Sequence, residues 1–265
     1  MSSETNQWLY DTTAQLFDLT RRRLSPSPPS SLTIPSPRSL HHRGLIIDPS
    51  RTVLIIIDMQ NFFLSPLIHS HPAGLSTIKP LTRIIPRCRS LQIPVCWLNW
   101  GLDEASLASL PPAVSRGFCP TRAANDGCGW HFGLGAPLPS NQGRTLFKGT
   151  WNADIYSPLR PYVDPSDQIF HKARMSGLWR ESELLHQYLR SSGAKTLLFA
   201  GVNTDQCVLG TLTDACNWGW DCVLLRDCCG TMTEGNAGAL AEYQVERNLG
   251  FVVGSEEFLG AEVVG

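Results

Sequence analysis

The chain has 265 residues, enough for one large α/β domain with a substantial core. Its 22 basic and 23 acidic residues leave a net charge of −1, which gives no support for a nucleic-acid or membrane-surface partner. No apolar run reaches transmembrane length and the first twenty residues lack a signal-peptide core, so the chain reads as cytoplasmic.

Residues 1–50 read as an N-terminal extension, Ser/Pro-rich and partly flexible, ahead of one domain over residues 51–265. Trp8, Leu9, Leu16 and Phe17 fall two helical turns apart and predict a short helix. Arg21-Arg22-Arg23 reads as a solvated basic face. Residues 25–38 are dense in Ser and Pro, which favours extended or disordered chain.

Thr52-Val53-Leu54-Ile55-Ile56-Ile57 is an apolar, β-branched run suited to a central strand buried on both faces. A helix follows over about residues 75–91, with Pro86 bending or splitting it. Residues 94–98 predict the second strand. Residues 101–147 are irregular, rich in Gly and Pro, and carry Phe118, Trp130, Phe132 and Phe147. A segment this long predicts a lid or rim over the strand ends. Strands are then expected at 167–171, 196–200, 221–225 and 250–253. Helices are expected at 181–192, 208–218, 236–248 and 255–259. This alternation predicts a doubly wound, three-layer α/β/α fold with a mostly parallel sheet. The site belongs at the carboxyl ends of its strands.

Nine cysteines, with no Cys-x-x-Cys and no regular spacing, read as free thiols in a reducing compartment. Cys207 sits where a buried strand turns into a helix. The helix start favours an anion, which would lower the thiol pKa and make a nucleophile. A small core cysteine is the competing reading. Asp58 and Lys172 close two other strands, as turn or surface residues or as a base and a charge partner for that thiol. His69-x-His71 has ligand-like spacing but no nearby acids. His171 alternates to the side of its strand opposite Lys172. No nucleotide-binding loop is present.

Three segments together carry a resemblance: Leu54-Ile55-Ile56-Ile57-Asp58-Met59-Gln60-Asn61, Lys172-Ala173-Arg174-Met175-Ser176-Gly177, and Gly201-Val202-Asn203-Thr204-Asp205-Gln206-Cys207-Val208. Over about residues 50–255 the chain resembles the isochorismatase-like cysteine hydrolase superfamily. Trp97 to Glu104 and Lys148-Gly149-Thr150-Trp151 look closest to its ureidoacrylate and biuret amidohydrolase branch. The resemblance implies a homo-oligomer acting on a small-molecule substrate, with Cys207 as nucleophile, Asp58 as general base and Lys172 balancing their charge. It also implies a cis Val202–Asn203 peptide that aims the Asn203 and Cys207 N–H groups at an oxyanion. The implied reaction cleaves the C–N bond of an amide, carbamoyl or ureido compound through a thioester.

No cofactor and no metal are expected. Where the nicotinamidase branch carries Asp-x-His, the equivalent region here, Asn99-Trp100-Gly101-Leu102-Asp103, has no histidine. Met175 replaces the tyrosine usual in the ureidoacrylate branch. Asn99, Trp100, Met175 and Trp179 are candidate substrate-binding residues, each also open to a core reading. Two alternatives remain: a non-catalytic small-molecule or protein binder, and an isochorismate hydrolase, against which the presence of Cys207 argues.

Overall fold

The computed structural model describes residues 7–21, 30–118 and 133–264. Arg22, Arg23, the start of the Ser/Pro stretch, Trp130 and Phe132 lie outside them.

The N-terminal segment forms strands where a helix was expected. Strands β1 (Leu9–Asp11) and β2 (Leu16–Asp18) make an antiparallel hairpin. The Asp11 carboxylate closes its turn by accepting from the Thr13 and Ala14 N–H groups at 2.8 and 2.9 Å. That local capture gives the backbone an alternative to the helix. Tyr10 and Phe17 then meet as a cross-strand pair, ring centroids 4.6 Å apart. Strands β3 (Ser31–Pro35) and β4 (Gly44–Ile47) extend this sheet and bury Leu32, Ile34, Leu45 and Ile47 completely. Arg21 departs from the solvated reading, because its guanidinium pairs with the buried carboxylate of Asp221.

The central sheet contains β5 (Thr52–Ile57), β6 (Val95–Trp100), β7 (Gln168–Lys172), β8 (Thr196–Val202), β9 (Asp221–Gly230) and β10 (Phe251–Val253). Its order is β10-β9-β8-β5-β6-β7 and every pairing is parallel. Strands β5, β6 and β8 are buried along their whole length, as their apolar runs require. A last strand, β11 (Glu262–Val264), returns to the first sheet and pairs with β3.

The helices in chain order are α1 (Asn61–Leu64), α2 (Pro72–Ser76), α3 (Ile78–Ser90), α4 (Glu104–Ala108), α5 (Pro112–Phe118), α6 (Leu184–Ser191), α7 (Leu209–Asn217), α8 (Ala237–Gln244) and α9 (Ser255–Leu259). Pro86 lies inside α3 without ending it. Among the described residues no helix is long and apolar enough to cross a membrane.

The chain steps outward from β5 to β6 and β7, then returns to β8 beside β5 and steps out the other way. Right-handed crossovers therefore place α3 on one face and α6 to α8 on the other. In agreement, α3 packs with α9, while α7 and α8 share the turn over Val245–Leu249. The reversal between β5 and β8 opens a crevice at their carboxyl ends. On the far edge of the sheet, Phe251 of β10 is covered by Trp8, Phe17 and His42, with ring centroids 5.2 to 5.4 Å away. The first sheet thus protects a strand edge that would otherwise be open.

Gly201 marks the tightest approach beneath that crevice. Its φ is +121°, and a Cβ there would lie 2.0 Å from the Ile57 carbonyl oxygen. Neither backbone can move without breaking the β5–β8 ladder. Gly201→Ala is expected to cost about 3 kcal/mol from overpacking and backbone strain. A thermal melt would then show Tm lowered by about 6–12 °C; an unchanged Tm would contradict the close approach.

Candidate active site

Asp58 follows the last residue of β5 with φ of +54°. This left-handed turn, which Asp tolerates better than most residues, ends the strand abruptly. The carboxylate is fully buried. It accepts from the Trp100 backbone N–H at 3.1 Å and meets Lys172 Nζ at 2.9 Å. Lys172 comes from the edge strand β7, two strands away, and its ammonium lies 4.0 Å above the Trp100 ring. The same ammonium donates to Cys207 Sγ at 3.3 Å and to the Arg174 carbonyl at 3.2 Å. Cys207 sits in a wide helical turn, Thr204–Val208, that runs directly into α7. Three strand ends far apart in sequence thus bring an acid, a cation and a thiol together.

The expected lowering of the thiol pKa is not what the structure gives. Burial pushes Cys207 up to about 12, opposed by Lys172 and reinforced by the Asp58 carboxylate. Burial also raises Asp58, against the pull of Lys172. The helix start loses because desolvation of a buried anion is the larger effect. The charges explain how such a thiol could still react. Carboxylate, ammonium and thiol sum to zero. Passing the proton from Cys207 to Asp58 keeps the sum at zero, whereas losing it to solvent buries a net negative charge.

The Val202–Asn203 peptide is cis. The Asn203 side-chain oxygen accepts from the Met232 N–H at 3.3 Å and faces His71 Nε2 at 2.8 Å. His71 Nδ1 accepts from the Gly74 N–H at 2.8 Å, so the ring proton is on Nε2 and is donated to Asn203. His71 is therefore a neutral tether for the Asn203 turn. Among the described residues no group of three or more His, Cys, Asp or Glu is placed to hold a metal ion.

A cavity of about 130 Å³ lies over Cys207. Trp100, Met175 and Asn203 line it, as does α5 through Val114 and Phe118. Phe118 meets Trp100 edge-on at 5.0 Å, so this part of the irregular segment forms a wall over the strand ends. Asn99 does not reach this cavity. It alternates with Trp100 along β6 and faces the opposite side of the sheet, where it lines a separate cavity with Lys148 and Arg160. Trp179 is also elsewhere, half-exposed and stacked by Arg174 and Arg180.

Sequence reading missed several contributors. Gln60 accepts from the Trp100 N–H at 2.9 Å and donates to the Trp100 and Ala153 carbonyls at 2.8 and 2.6 Å. It locks the end of β6 in place, and the signal was a polar residue two positions beyond a buried acid. Phe63 and Met232 also face the cavity without any sequence signal for it, and His69, noted only for its ligand-like spacing with His71, faces it as well.

A family model for the isochorismatase domain matches residues 52–257. The chain belongs to the isochorismatase family. It is similar to the ureidoacrylate amidohydrolase RutB of Methylobacterium radiotolerans, 28% identical over 193 residues, 69% of this chain and 68% of that protein. A cysteine hydrolase from Pseudomonas syringae pv. phaseolicola has TM-score 0.65 at 17% identity, covering 89% of this chain and 97% of that one. N-carbamoylsarcosine amidase from Thermoplasma acidophilum has TM-score 0.59 at 20% identity, covering 78% and 97%. At these identities the two likenesses are of the fold alone. This member of the isochorismatase family is a hydrolase.

Proposed function

We propose that this isochorismatase-family hydrolase cleaves the C–N bond of a small amide, carbamoyl or ureido compound through a thioester on Cys207. The convergence of Asp58, Lys172 and Cys207 beneath a cavity is the observation that carries the reading. The similarity to an enzyme named as an amidohydrolase supports it.

Asp58 takes the Cys207 proton while Lys172 holds the charge of the pair. The thiolate attacks the carbonyl carbon, and the oxyanion is held by the Asn203 and Cys207 N–H groups. Asp58 returns the proton to the nitrogen as the C–N bond breaks and the amine leaves. A water, deprotonated by Asp58, adds to the thioester, and the thiol departs with that proton. Amide and water become acid and amine.

The test is a screen of small amides for ammonia release, with hydroxylamine added to intercept the acyl group. A hydroxamate should form with the native enzyme and not with Cys207→Ala. Ammonia release that survives Cys207→Ala would remove the thioester from the reaction.

A further inference from the structure

We propose that the cavity over Cys207 takes a compact, uncharged acyl group and rejects substrates that carry a carboxylate. The proposal rests on the reading of Cys207 as the residue that meets the substrate carbonyl.

The walls are apolar. Phe63, Trp100, Val114, Phe118, Met175 and Met232 supply most of them. Among the described residues lining the cavity there is no Lys, Arg, Asp or Glu. The titratable groups there are Cys207 itself and His69. Burial and the neighbouring His71 hold His69 down at about 4, so it is neutral at physiological pH.

The two cations beside the thiol, Lys172 and Arg174, are already committed. The Lys172 ammonium is buried and occupied by Asp58, Cys207 and the Arg174 carbonyl. Arg174 points away, donating to the Ala173 and Ser109 carbonyls at 2.7 and 2.8 Å. The acid, ammonium and thiol cluster sums to zero charge, and forming the thiolate does not make it positive. An incoming carboxylate would lose its water and meet no counter-charge among the described lining residues, which is a heavy penalty in an apolar site.

Size sets the second limit. About 130 Å³ is close to the volume of an engineered apolar cavity that holds benzene. A single ring or a short branched chain fills it. Hydrolysis of a neutral amide also creates a carboxylate in this same space, so the walls that admit the substrate favour departure of the product.

The charge preference can be read without turnover, on the full chain. Iodoacetamide and iodoacetate differ little in size and differ in charge. Each is reacted with the protein, and alkylation of the Cys207 peptide is followed by mass spectrometry. Rates are normalised to those with free cysteine. Iodoacetate is expected to be slower by about a hundredfold. Met175→Arg places a cation at the cavity wall and should recover roughly tenfold of that deficit. Equal normalised rates, or a preference for iodoacetate, would overturn the proposal.

Butanamide and succinamate, compared for ammonia release, separate the two readings. Charge-selective alkylation with neither amide hydrolysed removes simple carboxamides from the reaction and leaves the cavity assignment. Hydrolysis of both at similar rates removes the cavity assignment and leaves the amide reaction.

Discussion

Asp58→Asn is expected to separate thiol reactivity from turnover. Asn cannot accept the Cys207 proton or deliver it to the leaving amine, so kcat should fall by about 10²–10⁴-fold. The thiol itself should become easier to ionise. In the native enzyme the Asp58 carboxylate helps to hold Cys207 at about 12, and Lys172 opposes it. Removing the carboxylate leaves the ammonium as the thiolate's charge partner, 3.3 Å from the sulfur. Each unit by which the thiol pKa falls raises the thiolate fraction near neutral pH about tenfold. Iodoacetamide labelling of Cys207 in Asp58→Asn should therefore match or exceed the native rate while ammonia release is lost. Labelling slower than native would mean that Asp58 promotes the thiolate even at rest. Retained turnover would remove Asp58 as the base.

Lys172→Met should be the most damaging of the single changes to stability. It leaves the Asp58 carboxylate fully buried with only the Trp100 backbone N–H and the Cys207 thiol as neutral donors. Breaking a buried pair from one side costs about 3–5 kcal/mol, a drop in Tm of about 6–20 °C for a domain of this size. Part of that penalty is escaped if Asp58 takes up a proton, so the loss should shrink at acid pH. There the sign follows from linkage: Asp58 is already raised in the folded state by burial, and losing the cation raises it further. Stability of the variant is then fully present below the ordinary carboxylate range and falls as pH rises through the folded value. Asp58→Asn combined with Lys172→Met removes both charges and should recover most of the native Tm without recovering turnover. A single variant as stable as the native protein at neutral pH would show that the pair is not buried as described.

The central sheet was legible because its strands are continuous apolar runs, and a buried parallel strand has little choice of composition. Asp58 was legible because it ends such a run directly, Lys172 because it closes a short strand, and Cys207 because it follows a buried strand at a helix start. The first sheet was not. Its strands are three to five residues long, and β3 pairs with β11 from the other end of the chain. A two-sided pattern needs more length than that to register. The neighbours Asn99 and Trp100 show a different lesson. Both are candidate pocket residues by sequence, yet adjacent strand residues must face opposite ways, and only Trp100 faces Cys207. The thiol pKa could not be read from position at a helix start, because depth of burial decides it.

Trp100 bears on how such an enzyme can change its substrate. Its backbone N–H holds Asp58, its ring underlies Lys172, and its edge meets Phe118 at the cavity wall. Altering it for a new substrate would also disturb the charges beneath. Phe118, Met175 and Met232 touch the cavity without bonding to the acid or the ammonium. Mutational drift in specificity is therefore cheap on the rim and costly at the floor. New activities should arise first through those three positions, with Trp100 retained.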